Sequence, residues 1–220
     1  MNDERNKNQE IAYQNADMVK ESAPYYAGKK QGEYTLEDYY ALPEEQRVEL
    51  IDGVFYDMAA PTLFHQYIIG KIFQDLKNFI DKKGGTCMPF MAPADVQLDC
   101  DGGTMVQPDV FMVCDRSKMK LEKVYGAPEF IVEILSQSTK RKDMIIKLRK
   151  YMNAGVKEYW IVDPEKKTVL VYDFLNDDYP KIYGFDSIIP VELLDGECKI
   201  DFNDINEKTK VFYEQIEGDE

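Results

Sequence analysis

The chain has 220 residues, 41 of them acidic against 27 basic, for a formal net charge of −14, with one His, four Cys and one Trp. That length suits one domain with appendages, and a hydrophobic fraction of 44% excludes wholesale disorder. No apolar run approaches the ~18 residues that span a bilayer, and the polar start, Met1 to Glu10, lacks the apolar stretch of a secretory signal.

A cytoplasmic protein with no membrane partner is therefore expected. Cysteines 87, 100, 114 and 198 form no CxxC pair, and a single His leaves a structural zinc site short of ligands. Reduced thiols are the expectation for all four. A catalytic triad would have to use His65, and no GxSxG or nucleophilic-Cys context accompanies it. The negative charge is uneven: residues 116–150 hold ten basic side chains against four acidic, +6, and the rest of the chain carries −20. Such a local surface permits contact with phosphates, because contact energy is set within a Debye length of about 10 Å. A solvated basic helix face fits the same pattern.

In chain order, residues 1–33 are polar and read as an N-terminal extension. Thr35-Leu-Glu-Asp38 has the spacing of a helix cap and opens a short helix that ends near Pro43. Val48 to Tyr56 reads as two strands around the Asp52-Gly53 turn. Apolar positions 64, 68, 69, 72, 76, 79 and 80 give a helical period that Gly84-Gly85 stops. Strands follow near 86–91, 94–99, 110–114 and 129–135. A helix from about Lys140 to Ala154 closes at Gly155 and leads to strands at 158–162 and 168–172, and a weak element covers 203–216. This order predicts an α/β fold, a mixed central sheet flanked by helices. Residues 34–200 form its domain, and 201–220 form an acidic C-terminal extension.

The chemistry concentrates in the centre. Phe130-Ile-Val-Glu-Ile-Leu135 is apolar throughout except for Glu133, as a strand buried on both faces should be. A buried carboxylate there costs several kcal/mol unless it is paired or binds a cation. Pro108-Asp109 opens another apolar strand, so two acids stand on neighbouring strands, the hard oxygen donors that Mg²⁺ or Mn²⁺ prefers. A Glu133 paired with Lys or Arg and a plain turn at Asp109 explain the same residues. On the following helix, Met144, Ile145, Leu148, Tyr151 and Met152 form an apolar stripe with Lys147 at its border. From there Lys147 can lay its stem along the core and aim its ammonium at the strand end, or stay on the surface among Lys140, Arg141, Lys142, Arg149 and Lys150.

Five segments together carry a resemblance. They are Glu49-Leu-Ile-Asp-Gly53, Pro108-Asp109, Val132-Glu-Ile-Leu-Ser136, Asp143-x-x-x-Lys147-x-x-x-Tyr151 and Gly155-Val-x-Glu-Tyr-Trp-Ile-Val-Asp-Pro164. The chain resembles the Uma-type putative restriction endonuclease family, a branch of the PD-(D/E)XK nuclease superfamily, from about Tyr34 to Phe185. The resemblance implies a restriction-endonuclease-like core, hydrolysis of phosphodiester bonds in nucleic acid (DNA first), a Mg²⁺ or Mn²⁺ cofactor and a homodimer. Asp109 matches the PD acid and Glu133 the first acid of ExK. The third ExK position is Leu135 here, and the lysine matches Lys147 on the next helix. Glu49 matches a further metal-ligating acid of the N-terminal region. His65 is a candidate auxiliary for water activation or metal binding, and Lys140, Arg141, Lys142 and Lys150 are candidate nucleic-acid contacts. A non-catalytic nucleic-acid or partner-binding module on the same fold is the alternative.

Overall fold

A computed structural model describes residues 28–43, 45–98, 102–136, 139–177 and 179–218. Most of the N-terminal extension, residues 1–27, and Ser138 lie outside the described residues. The elements in order are α1 (Leu36–Tyr40), β1 (Val48–Ile51), β2 (Val54–Asp57), α2 (Leu63–Lys83), β3 (Met88–Met91), β4 (Asp95–Leu98), β5 (Thr104–Val106), β6 (Val110–Val113), β7 (Lys123–Tyr125) and β8 (Phe130–Ile134). A π-helical segment (Lys142–Lys147) runs into α3 (Leu148–Ala154). Then come β9 (Glu158–Asp163), β10 (Thr168–Asp173), β11 (Lys181–Gly184), β12 (Ile188–Pro190), β13 (Lys199–Asp201), α4 (Phe202–Lys208) and α5 (Lys210–Gly218). The chain divides into two compact units, Met1–Ala60 with Gln97–Val106, and Pro61–Val96 with Gln107–Glu220.

In the first unit the Thr35 side chain accepts from the Asp38 N–H while Asp38 accepts from the Thr35 N–H, a reciprocal cap that starts α1. Asp52 and Gly53 both take positive φ, 52° and 75°, as a two-residue hairpin turn requires. β1 pairs antiparallel with β2 on one side and β5 on the other. Tyr34, Val48, Leu50, Phe55 and Met105 form the small core of this unit.

The second unit is built on a six-stranded sheet in the order β11-β10-β9-β8-β6-β3. Only β8 and β9 run parallel, which the helical crossover between them allows. Side chains alternate between the two faces of β8. Phe130, Val132 and Ile134 join the large core under α2, with Ile68, Ile69, Ile72, Leu76 and Ile80. Phe202 and Ile205 of α4 are buried in the same cluster, although composition set them in a C-terminal extension. The opposite face of β8 carries Glu133, which meets Lys147 and Tyr151 from the following helix. α2 ends on Gly84 and α3 on Gly155, both in the left-handed region that a side chain disfavours.

Two expectations need correction. Cys87 and Cys114 are joined by a disulfide, not held as separate thiols. The β3–β6 register pairs Met88 with Val113, and one step further it sets the two cysteines across from each other. Cys198 is free and buried, and burial pushes its thiol up to about 12. The apolar stripe of the helix is also displaced: Ile145 and Met152 are about half exposed, at 47% and 51%. Tyr151 of that stripe is buried as expected, and it lies in line with Asp143 and Lys147, not with Ile145 and Met152. Steps of four residues drift by about 40° each on an α-helix, and the wider turn of the π segment opposes that drift.

Candidate active site

Four elements of the second unit meet at one end of β8. The register between β6 and β8 pairs Val110 with Val132. Continued by one residue, it sets Asp109 opposite Glu133, a cross-strand spacing of about 5 Å between Cβ atoms. Asp109 is fixed on one oxygen: the Ile134 N–H donates to Oδ2 at 2.8 Å, and His65 Nε2 lies 3.2 Å from the same atom.

His65 comes from the first turn of α2, whose cap Thr62 accepts from the His65 N–H. Its Nε2 is also 3.0 Å from the Ile134 carbonyl oxygen. Both neighbours of Nε2 are acceptors, so that nitrogen carries the proton. Nδ1 is buried and has no hydrogen-bond partner among the described residues. Burial opposes a charged imidazole, but the hydrogen bond and charge of Asp109 outweigh it and raise the His65 pKa above its ordinary value.

Glu133 is 3% exposed, and its Oε1 accepts two bonds, from Lys147 Nζ at 2.8 Å and from the Tyr151 hydroxyl at 2.6 Å. Lys147 is 2% exposed and lies 3.5 Å from Asp143 Oδ1, so two buried carboxylates share one ammonium. The surface alternative for Lys147 is thereby excluded. Tyr159 of β9 donates its hydroxyl to the Asp143 carbonyl at 3.1 Å, a main-chain acceptor inside the π segment.

The remaining candidates are placed as follows. Glu49 is fully buried in β1 of the first unit. Lys140 spends its charge on Asp163 at 2.9 Å, with Glu165 at 3.7 Å, so its expected contact with nucleic acid competes with an internal ion pair. Arg141 is exposed, and Lys142 and Lys150 are half-buried, on the helix that carries Lys147. Among the described residues no three His, Cys, Asp or Glu side chains come together as a group that could hold a metal. The residues that attracted no role from sequence are Asp143 and Tyr151. Their signal was present in the four-residue spacing with Lys147, but a regular helix assigns Tyr151 to an apolar stripe.

Carboxylate and carbonyl oxygens are the donor type that hard divalent cations take, and Asp109 and Ile134 present them at this end of β8. Asp109 Oδ2 and the Ile134 carbonyl oxygen converge on one point, which His65 Nε2 takes, while the Glu133 carboxylate lies against Lys147 and Tyr151. No helix among the described residues is long and apolar enough to cross a membrane.

Comparison with known proteins agrees with this architecture. The Uma2 family model, described as a putative restriction endonuclease, matches residues 36–200. A protein of Synechocystis sp., described as uncharacterized, is 29% identical over 145 residues, covering 64% of this chain and 74% of its own length. The crystal structure of a putative nuclease belonging to DUF820, from Anabaena variabilis, superposes with a TM-score of 0.65 at 20% identity. That match covers 78% of this chain and 96% of the other, and it establishes likeness of fold.

Proposed function

The chain belongs to the Uma2 putative restriction endonuclease family, and from that premise we propose that it is a Mg²⁺- or Mn²⁺-dependent nuclease hydrolysing phosphodiester bonds in DNA. The observation that carries the reading is the buried Glu133, across from Asp109 and bonded to Lys147. A polar cluster of this kind inside an apolar sheet costs stability, and a catalytic role accounts for its presence.

Asp109 and Glu133 are the residues that would hold the ion. Bound there, it supplies Lewis-acid stabilisation of the phosphate oxygens and a more acidic water. Lys147, bonded to Glu133, sets a positive charge beside the place where phosphate negative charge grows. His65 and the Ile134 N–H hold Asp109 in one orientation. Arg141, Lys142 and Lys150 supply phosphate contacts from the same helix, which strengthens binding at low salt. A homodimer presents two such sites to the two strands of a duplex. Sedimentation equilibrium is expected to give twice the 25.5 kDa chain mass, and a monomer at every concentration removes the dimer from the proposal.

Cleavage of supercoiled DNA with Mn²⁺ or Mg²⁺, against an EDTA control, tests the activity. Wild type is expected to cut only with metal, and Asp109→Asn to be inactive. If wild type leaves DNA and RNA intact with both ions, the nuclease reading fails and a non-catalytic nucleic-acid-binding module replaces it.

A further inference from the structure

We infer that Tyr151 is a positioning residue for the Glu133 carboxylate, an inference that rests on the metal-nuclease reading above. Tyr151 is fully buried in α3, and a buried phenol needs a hydrogen-bond acceptor. A main-chain carbonyl would satisfy it, as one satisfies Tyr159. Tyr151 instead donates at 2.6 Å to Glu133 Oε1, the oxygen that also accepts from Lys147 at 2.8 Å.

Two donors on one oxygen select a single orientation of the carboxylate. The Tyr151 ring is itself held: it meets Tyr159 edge-on with centroids 5.0 Å apart, and Tyr159 is tied through its hydroxyl to the π segment. The sequence of contacts runs from β9 through two aromatic rings to the acid near the C-terminal end of β8. A residue that touches a ligand and not the ion still tunes the ion, because it fixes the geometry and basicity of the ligand. Tyr151 thus completes a line on one helix, Asp143, Lys147 and Tyr151, in which the lysine supplies charge to Glu133 and the tyrosine supplies direction.

Tyr151→Phe removes the hydroxyl and keeps the ring. Calorimetric titration with Mn²⁺ is expected to show affinity weakened by about 10–100-fold, the range for partners of metal ligands. The turnover number should fall while KM for DNA stays near that of wild type. Tyr159→Phe is the control, since it deletes an equally buried hydroxyl bonded to main chain. It should lower thermal stability yet leave Mn²⁺ affinity unchanged.

If Tyr151→Phe binds Mn²⁺ as wild type does, the inference falls and the nuclease reading stands. If both variants weaken Mn²⁺ binding alike, Tyr151 acts through packing alone and the inference is overturned. If wild type binds no Mn²⁺, the metal reading falls first and the inference with it. Should Tyr151→Phe not fold, fluorotyrosine placed at position 151 of the otherwise native chain answers the same question by fluorine NMR. Its signal moves on Mg²⁺ titration if the hydroxyl reports on Glu133, and a signal that stays still overturns the inference.

Discussion

Lys147 spends its charge on two buried carboxylates, Glu133 at 2.8 Å and Asp143 at 3.5 Å, and all three groups are at most 3% exposed. The attraction between such groups does little more than offset the cost of taking them out of water. Deleting this cation is a different matter, because it takes a buried partner from both carboxylates at once. Helix propensity and stem volume alone suggest that Lys147→Met is harmless to the fold. The burial argues otherwise, and urea denaturation of Lys147→Met should show a loss of about 3–5 kcal/mol. A loss under about 1 kcal/mol, the size for an exposed pair, would mean that the ammonium is not enclosed as described. Activity of this variant must therefore be read at a temperature where it is still folded.

At the scale of elements, what the sequence made legible were features whose cause is local. The Thr35–Asp38 cap, the Asp52-Gly53 turn and the glycine stops at 84 and 155 each depend on one or two residues, and each stands where the sequence puts it. The central strands were legible because burial on both faces leaves a continuous apolar run, Phe130 to Leu135, broken only by the residue that matters. Features that depend on two distant segments were not legible. The Cys87–Cys114 bond needs the β3–β6 register, and the Lys140–Asp163 pair needs the end of β9 beside the start of a helix. The π segment was hidden for a different reason: its buried residues recur every four, where a regular helix repeats every 3.6, so Ile145 and Met152 fall outside the buried face while Tyr151 lies within it as expected. The pairing of Glu133 with Lys147 was legible only as one of two alternatives, since spacing fixes the face of a helix but not its distance from the strand.

Across the described residues, Glu158 and His65 hold protons near neutral pH that the unfolded chain releases, and both work in the same direction. Burial of Glu158 is the dominant influence on that residue and lifts its pKa from 4.5 to about 7, against the opposing bonds from the Leu193 N–H and Trp160 Nε1. Below pH 4.5 the group is protonated in both states and burial carries no ionic penalty. As pH rises to about 7 the unfolded chain ionises freely while the folded one resists, so stability falls, by about 3 kcal/mol in total from this residue. His65 adds to the fall: its raised pKa gives stability that is present below pH 6.5 and lost as pH rises through the folded value. The net charge of −14 compounds both, since each added proton relieves self-repulsion. Asp38 has a lowered pKa and acts in the opposite sense, but only near and below its ordinary 3.8, outside this window. Stability measured by urea unfolding of metal-free protein should therefore decrease steadily from about pH 5 to about pH 8. Glu158→Gln should flatten most of that slope, although its amide suits the Leu193 N–H less well and lowers stability at acid pH. Stability that rises with pH across this interval, or a slope unchanged in Glu158→Gln, would show that Glu158 is ionised in the folded protein well below neutrality.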